Sequence, residues 1–589
     1  MSELRVTAVD WAIVAASIAL SFVPAIAYAR RAGKSTTEFF ASGRAAPWWL
    51  IGVSMVATTF STDTPNLVTN LVRENGVASN WAWWSFLLTG MATVFFYARL
   101  WRRSGVVTDL ELYELRYAEG PARVVRAFRA VYLGFFFNCV IMASVNLAAA
   151  KIANVLLGWS LERTLVICAI TNVVFAATSG LWGVLVTDFL QFGIAMTGAY
   201  AAAYYALKHP AVGGLAGLSS KIDAKTLGLL PDFSDRGLVV SVLVMPLAVQ
   251  WWSVWYPGSE PGGGSYVAQR MLAAKSEKDA LWGTLFFNVA HYALRSWPWI
   301  LVALASMLVF PRVADIQTAF PWVEPGLLGH DMAYPAMLSF LPTGWLGLML
   351  AGLFAAYVST LTTHLNWGTS YLVHDLYRRF LRPGRDEKHY VHTGRLVTAL
   401  LMLAAAIFTY VLDSARASFE ILLSVGAGTG LLYILRWYWW RINAWSEIAA
   451  MGSSFVVAIA FAVAKRAGVH VSSEVVLLVT IAITTIAWVT ATFIAKPVDD
   501  ETLVAFYRKV GPAGPGWRRI EGLAGPHGAK PDGLGLAAFG WMAGLALVWG
   551  ALFASGSFLI GSTANSVIFA ALAIAGGIGV ATVLKKQLQ

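Results

Sequence analysis

Apolar residues fill the chain in long blocks separated by short polar stretches. Windows of about 20 apolar residues, the length that crosses a hydrocarbon layer at 1.5 Å rise per residue, recur near 7–29, 45–70, 79–101, 130–157, 163–179, 183–206, 238–256, 281–310, 334–375, 396–412, 419–440, 445–466, 475–495, 534–556 and 560–584. They predict about fifteen spanning helices, numbered in chain order below. Arginines follow the first apolar run instead of preceding it, so that run reads as a retained helix and not as a signal peptide.

Two spans break the pattern. In the second, Ala57-Thr58-Thr59-Phe60-Ser61-Thr62-Asp63-Thr64-Pro65 sets polar groups and a carboxylate at membrane depth, just before a proline. A charge there persists only if it faces a cavity, an ion or a partner. In the seventh, Pro246 precedes Gln250-Trp251-Trp252-Ser253-Val254-Trp255-Tyr256, and the following Pro257-Gly258-Ser259-Glu260-Pro261-Gly262-Gly263-Gly264 cannot continue a regular helix. A proline kink beside a loop explains either break alone. Each break, however, opens a set of five spans, and an odd number reverses direction across the membrane. The pattern therefore predicts an all-α polytopic membrane protein with two inverted five-helix repeats, 45–206 and 238–440, and a site where the helices unwind. Outside the repeats lie one N-terminal helix (1–34) and about four C-terminal helices (445–589) with a cytoplasmic loop at 496–532.

The ninth span opens as hydrocarbon at Leu350 and ends in Ser359, Thr360, Thr362, Thr363, His364 and Asn366. Ala356, Ser359 and Thr360 stand at i, i+3, i+4, and Ser359, Thr362 and Thr363 repeat that spacing one turn on, so each trio shares a helix face. Neutral oxygens grouped in this way suit sodium better than a transition metal, which asks for His, Cys or carboxylates. Hydroxyl faces also serve as packing contacts between membrane helices. Asp188, opening the sixth span, fits either an ion ligand or a helix cap. Arg295, midway along the eighth, fits either a carboxylate partner or solute, while Lys151 near the outer end of the fourth is expected to snorkel. The aromatics Trp81, Trp83 and Trp84 fit an interfacial belt, as do Trp251, Trp252, Trp255 and Tyr256, for which the wall of a solute cavity beside the seventh-span break is the alternative.

Composition narrows the class. With 58% hydrophobic residues, 13% charged and 26 Trp, and a mean hydropathy of +0.63, a soluble fold is excluded. Cys139 and Cys168 lie inside apolar runs, which gives no disulfide framework and no thiol metal site. The net charge of +11 falls in alternate connections, at Arg30, Arg31 and Lys34, Arg102 to Arg126, Arg270 to Lys278, Arg378 to Arg385, Lys496 to Arg519, and Lys585 with Lys586. By the positive-inside rule these are cytoplasmic, the N-terminus is outside and the C-terminus inside. The excess charge faces the inner membrane surface and not a nucleic acid. Asp63, His291 and His364 have no partner at a catalytic spacing, so no enzyme is expected.

Three stretches carry a resemblance: Gly183 to Gln191 with Thr187-Asp188, Gln269-Arg270-Met271-Leu272-Ala273-Ala274-Lys275-Ser276, and Ala356-Tyr357-Val358-Ser359-Thr360 leading to Asn366 and Asp375-Leu376-Tyr377. In them the chain resembles the sodium/solute symporter family, whose members include bacterial sugar, proline and sialic acid symporters. The resemblance implies the leucine-transporter fold and uptake driven by the sodium gradient, with Na+ as coupling ion. It implies a sodium site made by backbone carbonyls of Ala57, Phe60 and Ala356 and hydroxyls of Ser359 and Thr360, and a second sodium at Asp188, Thr362 and Thr363. Solute contacts are expected at Thr64, Trp81, Gln250, Trp251, Trp252, Trp255, Tyr256 and Arg295. Sugar-transporting relatives place a Gln and a Glu where this chain has Thr64 and Trp81. A sugar or sugar derivative is favoured, with a carboxylate or amino-acid-like solute, or a transporter-fold sensor, as the alternatives. The expected setting is the bacterial inner membrane, with solute, sodium ions and lipid as partners, no nucleic acid, and a monomer as working unit.

The charge bias makes a direct prediction about topology. Reporter tags after Gln589 and within 496–532 should register as cytoplasmic and a tag at Met1 as periplasmic, whereas a periplasmic C-terminus would mean one span is miscounted.

Overall fold

The structure, a computed structural model, describes residues 6–587 apart from 33–37, 39–41, 119, 413, 470 and 527–532. Met1, Lys34, Gln589 and the last stretch of the 496–532 loop lie outside the described residues, as do the side chains of Arg30 and Arg31. Among the described residues, 11 helices are long and apolar enough to cross a membrane, and Trp48–Thr58 is a shorter apolar helix. The second span is split into Trp48–Thr58 and Asp63–Asn75, and the seventh into Arg236–Ser253 and Ser265–Ala273. The eleventh is also split, into Ala415–Gly426 and Gly430–Tyr438, with no proline to announce it. Its break pairs with that of the seventh: Trp255 N–H donates to the Gly426 carbonyl at 3.0 Å.

Helical residues extend over Leu161–Lys208 and take in both the fifth and the sixth span. A straight helix of that length would put its ends about 70 Å apart, yet both ends lie beside the start of the ninth span. Trp159, just ahead of the helix, stacks on Trp11 at 6.1 Å, next to Asp10, whose carboxylate accepts the Gly344 and Gly347 N–H groups. Tyr205 packs on Trp345 at 6.1 Å. The stretch therefore doubles back as two antiparallel spans, with Trp182 stacked on Tyr28 at the opposite end.

The seventh-span break is fixed by sterics at Gly263. Its φ is 72°, and a Cβ there would stand 2.6 Å from Trp101 Nε1, whose N–H donates to the Gly262 carbonyl at 2.9 Å. Only glycine meets both conditions.

Two expectations change in the folded chain. Lys151 does not snorkel: its ammonium is buried and pairs with Asp331 at 2.7 Å, because the outer segment His330–Met332 folds down over the fourth span. The 496–532 loop is not open chain. Leu503, Phe506, Tyr507 and Val510 form the buried face of helix Asp500–Val510, and Phe506 stacks on Trp517 beneath Trp437. The last two spans, Leu534–Leu559 and Thr563–Gln587, pack on each other; Trp541 and Trp549 of the former donate to the third-span carbonyls of Leu88 and Trp84.

Charged latches close both sides. On the inner side Arg126 pairs with Asp375 at 2.6 Å, Glu114 at 3.2 Å and Glu111 at 3.5 Å. Burial works against ionised Glu111, but the His374 ring bonded to it and Arg126 beside it hold its carboxyl down at about 2, so this latch keeps its charge at physiological pH. On the outer side Arg416 bridges Glu74 of the second span and Glu420 of the eleventh.

Removing one partner of a buried ion pair leaves an uncompensated charge, at a cost of about 3–5 kcal/mol. Lys151→Ala should therefore lower the melting temperature in detergent by several degrees, and Lys151→Met combined with Asp331→Leu should recover most of the loss; an unchanged melt for Lys151→Ala would show the pair to be unimportant.

Candidate functional site

Breaking a helix in hydrocarbon strands backbone carbonyls that water cannot reach. At the second-span break these carbonyls are met by side chains from the second repeat. Thr360 Oγ1 donates to the Thr58 carbonyl at 2.9 Å and approaches the Phe60 carbonyl at 3.3 Å. Arg295 Nη1 donates to the Val56 carbonyl at 2.9 Å. The Ala57 carbonyl takes the Phe60 N–H at 3.1 Å. The result is a dry group of neutral oxygens between the second and ninth spans, the hard ligand type that an alkali cation takes. No trio of His, Cys, Asp or Glu suited to a transition metal occurs among the described residues.

Beside this group, Asp188 sits inside its helix as the acceptor of two hydroxyls, Ser54 at 2.5 Å and Ser359 at 2.6 Å. It is fully enclosed, and no helix-start amide donates to it. Ser359 thus turns away from Thr360 and toward Asp188. Thr363 bonds Thr58 across the helix contact at 3.1 Å, while the buried Thr362 Oγ1 has no partner.

A cavity of about 110 Å³ lies between the breaks of the second and seventh spans. Ligand pockets typically start near ~300 Å³, so with both sides latched this is a contracted compartment. Its wall combines aromatic faces with polar groups. Trp83 stacks on Tyr292 at 5.8 Å and Tyr256 on Phe86 at 5.4 Å, and Phe419 of the eleventh span meets Tyr256 at 5.2 Å. Tyr266 and His364 close the inner end and Arg295 with His291 one flank. Among the described residues no carboxylate forms an ion pair with Arg295; besides Val56 it donates to the His291 carbonyl and contacts the His291 ring and Trp299. Asp63, also in the wall, takes long side-chain contacts from Thr64 at 3.4 Å and Ser144 at 3.5 Å.

A family model described as the sodium:solute symporter family matches residues 39–456. The chain belongs to that family. It is 24% identical over 456 residues to the sodium/glucose cotransporter of Vibrio parahaemolyticus, covering 72% of this chain and 79% of the relative. It is 25% identical over 478 residues to the sodium/mannose cotransporter SLC5A10 of Bos taurus, covering 74% and 76%. Its fold is similar to that of a Na+-coupled sialic acid symporter in a substrate-bound outward-open state, with a TM-score of 0.62 and 18% identity over 84% of this chain and 99% of the other. The inverted repeats are the leucine-transporter fold. The protein is a multi-pass, sodium-coupled secondary active symporter of small solutes and not an enzyme.

The symporter's solute candidates separate once folded. Thr64, Tyr256 and Arg295 line the cavity. The other five lie elsewhere. Gln250 donates to the Ala82 carbonyl at 2.7 Å, and Trp81 packs on Trp549 while donating to the Leu229 carbonyl. Trp251 faces Trp541, Trp252 bonds its own helix at Ala248, and Trp255 is buried on Phe137. Trp83, Tyr266, His291, Tyr292 and Phe419 are cavity residues that the sequence pattern did not single out as solute contacts. Of these, His291 was visible as a polar residue one helical turn from Arg295.

This placement yields a contrast. Trp252→Ala should leave the half-saturation of sodium-driven uptake within about twofold, whereas Tyr256→Ala should raise it at least about tenfold; equal effects would place the solute outside this cavity.

Proposed function

We propose that the symporter carries a neutral polyhydroxylated solute, a sugar or sugar derivative, in the cavity between the two helix breaks. The observation that carries this reading is the wall itself, in which flat aromatic faces alternate with hydroxyl, imidazole and carboxylate groups. Such a wall offers stacking to a ring and hydrogen bonds to its hydroxyls. Asp63, in the cavity wall, is an acceptor for hydroxyl donors and would repel an anionic solute. The relatives named for glucose and mannose are consistent with this class. A second reading, an amino-acid-like zwitterion, is favoured by the coexistence of Asp63 and an Arg295 without a carboxylate partner.

The coupling sodium would sit among the carbonyls of Ala57, Phe60 and Ala356 and the hydroxyls of Ser359 and Thr360. Support comes from Thr360, whose hydroxyl already reaches the carbonyls freed by the break. A second sodium would use Asp188, Thr362 and Thr363, where a carboxylate offsets the cost of holding another cation at depth and the Thr362 hydroxyl has no other partner. The protein would act as a monomer in the lipid bilayer of a bacterial inner membrane, N-terminus outside and C-terminus cytoplasmic.

The test is uptake into proteoliposomes, after a thermal-shift screen of sugars, carboxylates, amino acids and nucleosides with and without sodium. A sodium gradient should drive accumulation of a sugar-class solute, with a Hill coefficient near two that falls toward one in Asp188→Asn or Thr363→Ala. Thr360→Val should raise the sodium half-saturation at least about tenfold. Stabilisation by amino acids alone would favour the zwitterion. Sodium-dependent binding without flux would mark a sensor and sink the transport reading.

A further inference from the structure

Arg270 is a fully buried cation in the inner half of the interrupted seventh span, and its guanidinium reaches the hydroxyls grouped around Asp188. Nε donates to Ser54 Oγ at 3.2 Å, and the same Ser54 donates to Asp188 at 2.5 Å, so one hydroxyl separates the guanidinium from the carboxylate. Nη2 donates to Thr363 Oγ1 at 2.7 Å, and Nη1 to Gln269 Oε1 at 2.9 Å. Gln269 in turn donates to Asn366 of the ninth span at 3.0 Å. Ser54, Asp188, Thr363 and Arg270 are all enclosed, so water screens none of these charges.

The charge count is then simple. One carboxylate and one guanidinium compensate each other, and two of the oxygens that would face a cation beside Asp188, those of Ser54 and Thr363, are already bonded to Arg270. A sodium ion added without displacing the guanidinium would put two positive charges on one buried carboxylate, which repulsion forbids in a dry site. Sodium and Arg270 therefore exclude each other. Arg270 is also carried on a separable piece of structure. Helix Ser265–Ala273 is only nine residues long and is cut off from the outer half of its span by the glycine-rich break. At its start the Ser265 N–H is held by Asp109, itself bonded by Tyr371 of the ninth span.

We infer that Arg270 is a tethered cation that exchanges with sodium at Asp188. With the helix Ser265–Ala273 docked, the guanidinium compensates Asp188; with the helix withdrawn, sodium replaces it. Ion binding is thereby tied to the position of the seventh span's inner half. This rests on the reading of Asp188, Thr362 and Thr363 as an ion site. Arg270 acts through Asp188 and touches no solute in the cavity wall, so it is a positioning residue.

The experiment is a sodium titration of the purified full-length protein, read by thermal shift at constant ionic strength with choline as the replacement cation, alongside sodium-driven uptake. Variants are Arg270→Lys, Arg270→Gln, and Arg270→Gln combined with Asp188→Asn. Arg270→Gln should bind sodium with a half-saturation at least about tenfold lower than wild type. Arg270→Lys, which keeps the charge, should stay near wild type, and adding Asp188→Asn should erase the gain. If Arg270→Gln is unstable without sodium, sodium but not choline should restore its melt, and failure of sodium to do so overturns the inference. An unchanged or weaker sodium affinity in Arg270→Gln, or a gain that survives Asp188→Asn, also overturns it. Absence of sodium-driven uptake in wild type would instead remove the symport reading beneath it.

Discussion

An interrupted helix inside a hydrocarbon layer must find donors for the carbonyls it frees, and this requirement organises the molecule. The second span frees carbonyls around Val56, Thr58 and Phe60, and the donors come from Arg295 of the eighth span and Thr360 of the ninth. Both donors belong to the second repeat, so the first repeat's break is completed by the second. Oxygens gathered for this purpose are also those of the proposed sodium site, so one arrangement would serve both the structure and the ion.

The same economy holds at the seventh span. Its break borrows the Gly426 carbonyl of the eleventh span, and the glycines that permit it leave the inner helix Ser265–Ala273 attached by a flexible-backbone segment. The cavity proposed for the solute lies between the two breaks because that is where side chains replace continuous helix packing. Its outer boundary is Phe419 on Tyr256, and above that the Glu74–Arg416–Glu420 contact. Its inner boundary is Tyr266, and below that the Arg126 latch. Each latch joins elements from both repeats, which is what a barrier that opens on one side at a time requires.

Charge at membrane depth is handled by three devices of different strength. Lys151 and Asp331 form a closed pair with a structural role. Arg295 spends its donors on backbone and keeps a face toward the cavity. Asp188 and Arg270 are separated by a hydroxyl and are thus compensated without being fused.

The sequence by itself determined the all-helical polytopic class, the two breaks at the starts of the repeats and the hydroxyl faces of the ninth span, since apolar length, proline and glycine placement and helical spacing are local properties. Asp63 and Arg295 were visible as charges that hydrocarbon does not tolerate without purpose. Tertiary structure alone decided which aromatics meet the cavity. Trp251 and Trp252 stand five and four residues before Tyr256, but the helix ends at Ser253, so helical spacing does not carry across the break and their rings go elsewhere, to Trp541 and back to their own helix. It also decided that Lys151 finds Asp331, that the eleventh span breaks opposite the seventh, and that Ser359 turns to Asp188. Each of these depends on a partner more than a hundred residues away, and periodicity along one chain carries no information about which distant side chain arrives to complete a site.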